Sequence, residues 1–315
     1  MAFILIGAND GAFGVLIPSL RTYYDVDKAT ISLLFLPPAL GYLIGAFNTG
    51  LLLEKLGQRL FLMLGATSFL VAALMLSLMP PFIAVLVILL LLGFGVAVID
   101  AGLNAYIAGL PRNTALLNYL HAFYGAGALL GPIIASSILA IGWGWNRVYM
   151  VWVGLSLMAL IGFGLFFSNT SAQNSEAKAE GNILLETLKL RMVWLVALFL
   201  AFYVGTEISL GSWSYSFLTE ERHGAALLSG WIVSGYWFGL MLGRLLLARV
   251  AQRVGSKRLI EGCLVGVGVG VLLVWLVPAP ATSAFGLWLT GFSLGPIFPS
   301  AIALMSDLVP ERILP

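Results

Sequence analysis

The chain has 315 residues, 60% hydrophobic and 10% charged, with a mean hydropathy of +1.01 and a formal net charge of +2. Soluble domains hold about 45–50% apolar and about 25% charged residues, so this composition excludes an ordinary soluble domain. The small net charge gives nucleic acid nothing to bind, and the single Cys263, in an apolar run, excludes a disulfide framework and a cysteine metal cluster.

A helix needs about 20 apolar residues to cross a bilayer. Ten such spans follow one another, at 1–20, 29–53, 59–79, 82–109, 115–141, 147–168, 191–218, 226–248, 258–277 and 282–307. So many spans argue against a cleavable signal peptide at the start. The first span, through "IGANDGAFG", carries Asn9 and Asp10. The second runs into the loop "GLLLEKLGQR" at 50–59. No charged residue then occurs from Leu60 to Ile99, and the run ends in "VIDAGLNAY", where Asp100 and Asn104 are four apart and share a helix face. The fifth span holds Asn118 and His121. Residues 169–190 are polar and mixed in charge, and predict a linker with a short amphipathic surface helix between bundles at 1–168 and 191–315. The seventh span places Tyr203, Glu207, Gly211 and Ser214 on one stripe, with Trp213 beside it. The eighth contains Gly243 and Arg244.

With both termini in the cytoplasm, twelve of the sixteen Lys and Arg fall on the cytoplasmic side. Only Arg21, Lys28, Arg147 and Arg222 fall on the other, which is the positive-inside pattern. Sliding the sequence by 198 residues overlays its two parts. Gly7 meets Gly205, Asn9 meets Glu207, "GYLIG" at 41–45 meets "GLMLG" at 239–243, Gly57 meets Gly255, and "GF" at 93–94 meets "GF" at 291–292. One register aligns the first, second and fourth spans with the seventh, eighth and tenth. Two homologous six-span halves mark a transporter whose site lies at the repeat interface. The second half holds four spans, so the repeat predicts a twelve-span parent, with two spans and a few N-terminal residues outside this chain.

Three acids, Asp10, Asp100 and Glu207, lie inside spans, where each costs about 2.5–3.5 kcal/mol on insertion scales. Such residues face a cavity or a partner rather than lipid. No Lys or Arg stands at mid-span, and Arg244 falls near the end of its own. A carboxyl out of water without a fixed cation is suited to loading a proton. Asp100 is therefore the expected coupling site, with Asp10 and Glu207 as further candidates. Asn9, Asn104 and Glu207 carry the amide and carboxylate oxygens that grip hydroxyl groups. A purely structural role for each acid stays open. So do a packing role for His121 and an interfacial-belt role for Trp213 and Trp231. No nucleophile–base pair, phosphate loop or metal-ligand spacing points to an enzyme, a cofactor or an ATP-driven pump.

The loop at 50–59, with Gly50, Glu54, Gly57 and Arg59, resembles the loop signature of the major facilitator superfamily, with Glu in place of the usual Asp. The resemblance implies an all-α membrane protein with the major facilitator fold, two six-helix pseudo-repeats, of which ten helices are present here. It also implies that the first, fourth, seventh and tenth spans line the central cavity, and that the loop residues gate the cytoplasmic side. Gly243 and Arg244 open a second, acid-free copy. More narrowly, "DAGLNAY" at 100–106, "LNYLHAFYGAGALLGP" at 117–132 and "GTEISLGSW" at 205–213 resemble the fourth, fifth and seventh spans of the fucose–galactose–glucose:proton symporters. There is one departure. The first-span acid of that family stands four residues before a proline, whereas Gly14 stands four before Pro18 here and the acid is Asp10.

This narrower resemblance implies proton-coupled symport of a sugar or related solute; a monomer is expected, and the compact loops without organelle-targeting features point to a bacterial inner membrane. Asp100, Asp10 and Glu207 would take the proton, and Asn9, Asn104, Asn118, His121, Tyr203 and Trp213 would contact the solute. Sodium in place of the proton, an exporter of the same superfamily and a non-transporting membrane fragment are the competing readings.

Overall fold

The computed structural model describes residues 1–110, 113–168 and 190–306. The predicted linker at 169–190 lies outside them apart from Leu190, as does the side chain of Asn118. The described residues are helical almost throughout and contain no strand. Nine helices among them are long and apolar enough to cross a membrane, and one of these, at Lys28–Ser77, is broken in the middle.

The chain divides into two compact units, Met1–Ser175 and Glu176–Pro315. The first holds α1 (Ala2–Tyr24), the single turn α2 (Lys28–Ser32), α3 (Leu36–Ser77), α4 (Phe82–Ala108), α5 (Asn113–Ala140) and α6 (Asn146–Phe166). Here α3 packs on α4 and α6, and α1 packs on α5. The second unit holds α7 (Arg191–Ser216), which continues into a π turn at Phe217–Glu221, then α8 (Ala226–Val254), α9 (Ser256–Leu276), α10 (Pro280–Leu294) and α11 (Ile297–Ser306). In it α10 packs on both α8 and α9.

Three elements differ from the expected spans. The second and third spans are arms of one continuous helix, α3, kinked at Gly57, whose φ of 73° and ψ of 166° no L side chain adopts without strain. Gly255 turns α8 into α9 with nearly the same backbone, φ 86° and ψ 150°. The 198-residue repeat thus reproduces a backbone conformation as well as a sequence pattern. The tenth span is divided between α10 and α11 by a turn at Gly295 and Pro296. The first runs on to Tyr24 and ends at Asp25, in the left-handed conformation.

The helices touch backbone to backbone at small residues, as membrane helices do. A methyl group on Gly41 of α3 would overlap the carbonyl of Leu90 on α4, and one on Gly93 of α4 would overlap the carbonyl of Pro38 on α3. In the second unit Gly239 and Gly291 make the same reciprocal contact with the carbonyls of Trp288 and Tyr236. Gly7 and Gly127 do so between α1 and α5, against the carbonyls of Tyr124 and Ile4.

A core of Phe3 and Ile6 from α1, Leu62 and Ala66 from α3, Ile99 and Leu103 from α4, and Phe163 from α6 fills one end of the first unit. At the other end Tyr24 donates to the Pro80 carbonyl at 2.6 Å, and Asn146 caps α3 through the Ser77 carbonyl at 3.1 Å. Trp145 and Trp152 are buried in packing, while Trp143, Trp231 and Trp275 are exposed, the placement of an interfacial belt. Asp27 caps α2 by accepting from the Thr30 backbone N–H at 2.7 Å, and Thr30 holds that carboxyl below its usual range.

A methyl placed on a glycine at a backbone contact has nowhere to go. Replacing Gly41, Gly93 or Gly127 by Leu is expected to cost about 2 kcal/mol or more, from overpacking. Gly50→Ala and Gly154→Ala, where no other element of the described residues lies within 4 Å of the new methyl, should stay within about 0.5 kcal/mol. Melting temperatures of the purified variants in detergent check both groups.

Candidate functional site

Asp100 stands in the last third of α4, and Asp10 in the first half of α1. Both are half-buried. The Tyr42 hydroxyl, from α3, donates to Asp100 Oδ2 at 2.6 Å. Asn104, one turn along α4, donates through Nδ2 to Asp100 Oδ1 at 2.8 Å and to its backbone carbonyl at 2.9 Å. Asp10 is held in the same manner. The Tyr124 hydroxyl from α5 donates to its Oδ2 at 3.0 Å, and the Asn9 amide to its Oδ1 at 3.3 Å. Neither acid forms an ion pair among the described residues. The expected pairing of Asp100 with Asn104 is present, and an uncharged hydrogen-bond shell surrounds each acid.

Glu207 is different, and here the expectation that no cation reaches the buried acids is corrected. Arg244 Nη2 lies 3.2 Å from Glu207 Oε1 and 3.4 Å from Oε2. Its Nε donates to the Gly295 carbonyl at 3.3 Å. The reason is tertiary. Gly243 seats α8 directly on the backbone of α10 at Phe292, which brings Arg244 beside Gly295, and its long stem spans the gap to α7. Tyr236 donates to the backbone carbonyl of Glu207 at 2.8 Å. Tyr203, one turn earlier on α7, is buried and donates to the Leu294 carbonyl at 3.0 Å. So Glu207, Arg244, Tyr203 and Tyr236 form one polar knot tying α7, α8 and α10.

These features meet a broad set of known proteins. The sequence profile of the Major Facilitator Superfamily matches residues 1–313. The chain belongs to the major facilitator superfamily. It is 24% identical to the glucose/mannose transporter GlcP of Bacillus subtilis, over 99% of this chain and 79% of that protein. It is 26% identical to bypass of stop codon protein 6 of Saccharomyces cerevisiae, over 99% of this chain and 70% of that one. Sodium-dependent glucose transporter 1A of Mus musculus is 28% identical over 72% of this chain and 63% of its own length. The fold matches crystal structures of the nucleoside transporter NupG (TM-score 0.79, 14% identity) and of a D-xylose-proton symporter (TM-score 0.78, 14% identity), each over 99% of this chain and 82% of the other. Apart from the yeast protein these relatives are named as transporters, none as an enzyme.

The superfamily loop of this member has its turn at Gly57, while a methyl on Gly50 would meet no other element within 4 Å among the described residues. Glu54 and Arg59 are exposed and form no ion pair among the described residues. Gln58, which carries no signal in the sequence pattern, is buried and donates to the Gly102 carbonyl at 2.8 Å, anchoring the loop to α4. The second loop turns at Gly255, Gly243 lies against the Phe292 carbonyl, and Arg244 pairs with Glu207. His121 is exposed and stands edge-on to Phe3 with ring centroids 5.6 Å apart. Trp213 lies with Ser209, Ser214 and Thr290 along an apolar pocket of α7, α9 and α10, away from the Glu207 knot.

Tyr42, Tyr124 and Tyr236 are the site residues that sequence reasoning missed. A signal was present: a tyrosine in an apolar run needs a partner for its hydroxyl.

Arg244→Leu leaves the Glu207 carboxylate, 14% exposed, without its cation. Because Arg244 is 40% exposed, the expected loss is about 2–3 kcal/mol, below the roughly 3–5 kcal/mol for breaking a fully buried pair. Glu207→Gln combined with Arg244→Leu should lose less than the sum of the two single changes, read by detergent-unfolding midpoints across a double-mutant cycle.

Proposed function

We propose that this superfamily member is a secondary active transporter for a sugar or a related polyhydroxylated solute, driven by protons. The observation that carries the reading is the pair Asp10 and Asp100: two acids inside spans, each held by a tyrosine and an amide, neither matched by a cation among the described residues. A carboxylate without a counter-ion is costly in a site closed to water, and taking up a proton removes that cost. Protonation therefore favours occlusion, and release of the proton on the other side favours reopening. Asp100 is the primary coupling acid in this scheme. Glu207, whose charge Arg244 matches, is better suited to binding and to holding its helices together than to taking the proton.

Asn9 and Asn104 present amides beside the acids, and such groups grip sugar hydroxyls. Asn118, His121, Tyr203 and Trp213 remain proposed solute contacts, of which Tyr203 has its hydroxyl already engaged. The glucose-transporting names of the bacterial and mouse relatives support a hexose-like solute. Gly50, Glu54, Gly57 and Arg59 act in this reading as the cytoplasmic gate, in a monomer with both termini in the cytoplasm of a bacterial inner-membrane protein. A second reading, sodium as the coupling ion, is favoured by the likeness to the sodium-dependent mouse transporter and by the oxygen-rich character of the acid–amide sets.

The test uses the full chain in proteoliposomes with glucose, mannose and xylose supplied singly. An inward proton gradient is expected to drive accumulation of at least one sugar. Asp100→Asn should abolish that accumulation while leaving sugar counterflow within about threefold. A neutral side chain no longer links proton binding to the conformational equilibrium, yet the two access states still interconvert. Accumulation that follows a sodium gradient with no proton movement would replace the proton by sodium. No sugar movement under either gradient would overturn the proposed solute class.

A further inference from the structure

The two acid–tyrosine contacts obey one rule of register. Where α1 meets α5, Gly7 faces Gly127. A methyl on Gly7 would overlap the carbonyl three residues before Gly127. Where α3 meets α4, Gly45 faces Ala97. A methyl on Gly45 would lie 2.7 Å from the Ala97 Cβ and 3.2 Å from the carbonyl of Phe94, again three residues before the facing small residue. Asp10 stands three residues after Gly7, and its tyrosine, Tyr124, three before Gly127. Asp100 stands three residues after Ala97, and its tyrosine, Tyr42, three before Gly45.

The same object is therefore built twice, with α1 matched by α4 and α5 matched by the first arm of α3. That is the pattern expected when a six-helix half is itself two three-helix repeats. Only the amides depart from the rule: Asn9 precedes its acid by one residue, and Asn104 follows its acid by four.

We propose that Tyr42 and Tyr124 are equivalent positioning residues, each fixing one carboxylate of a duplicated pair, so that Asp10 and Asp100 work as matched partners rather than as two unrelated sites. From neighbouring helices, the Tyr42 hydroxyl of α3 bonds Asp100 and the Tyr124 hydroxyl of α5 bonds Asp10. His121, one turn before Tyr124, turns to Phe3, and no Lys, Arg or His bonds either acid among the described residues. Each tyrosine bridges the two helices that the small residues bring together, so it ties the charge of its acid to the seating of that helix pair. The proposal rests on the coupling reading for its consequence in transport, but the geometry is tested without any transported solute.

Infrared pH titration of the full chain in lipid reads the protonated-carboxyl band, taken as the difference from a chain carrying both Asp10→Asn and Asp100→Asn. In an Asp10→Asn background the band belongs to Asp100. There Tyr42→Phe should move its midpoint to higher pH by about one unit, because a hydroxyl donating to the ionised form is lost, while Tyr124→Phe leaves it in place. In an Asp100→Asn background the roles exchange: Tyr124→Phe moves the Asp10 midpoint and Tyr42→Phe does not. The two shifts should agree within a factor of about three in proton affinity, since the contacts are of one kind.

Midpoints that ignore both tyrosine changes would overturn the proposal. So would shifts of equal size whichever tyrosine is changed, since that is the mark of a general structural effect. Correct shifts with no sugar uptake would uphold the positioning roles and remove the transport reading alone.

Discussion

Where Gly7 of α1 lies against the carbonyl of Tyr124 on α5, no side chain separates the two backbones. Lipid tails are as apolar as leucine, so burial of apolar surface does not hold helices together inside a bilayer. Close van der Waals packing and weak Cα–H···O contacts must do so, the latter about 0.5–1 kcal/mol each. Such contacts require small residues facing one another in register. The same reciprocal arrangement recurs between α1 and α5, between α3 and α4, and between α8 and α10. The polar groups of the candidate site sit next to these contacts: Tyr124 supplies the carbonyl that Gly7 meets, Tyr42 follows Gly41, and Arg244 follows Gly243. The glycine contacts set the helix spacing, and that spacing lets a tyrosine or an arginine on one helix reach an acid on the next.

The two units then solve the problem of charge in a membrane differently. In the first, two acids are surrounded by neutral donors, with no cation bonded to either among the described residues. In the second, Glu207 is matched by Arg244, so its charge is balanced where it stands. This asymmetry grows from a symmetric scaffold. Under the 198-residue repeat Arg244 corresponds to Ala46, and Glu207 to Asn9, so the ion pair belongs to the second unit alone.

Much of the architecture was legible in the residues. The apolar runs located the spans within a few positions, because a bilayer's thickness imposes a length that a sequence must display. The repeat was legible because duplicated helices keep their small residues in register, and Gly57 and Gly255 confirm it with matching backbone angles. The closeness of Asp100 to Asn104 followed from helical period alone. What escaped was everything that links residues far apart in the chain: the tyrosines that serve Asp10 and Asp100, the burial of Gln58, and the reach of Arg244 to Glu207.

The sequence by itself determined that this chain is a bundle of membrane-spanning helices with an internal duplication and three acids inside its spans. Hydropathy, period and register are local quantities, carried by each segment on its own. Only the tertiary structure decided which acid has a cation and which has a tyrosine. That outcome depends on which helix faces lie opposite each other and how closely their backbones approach. It also depends on whether a side chain of given length can cross the distance between them, and no single segment encodes that.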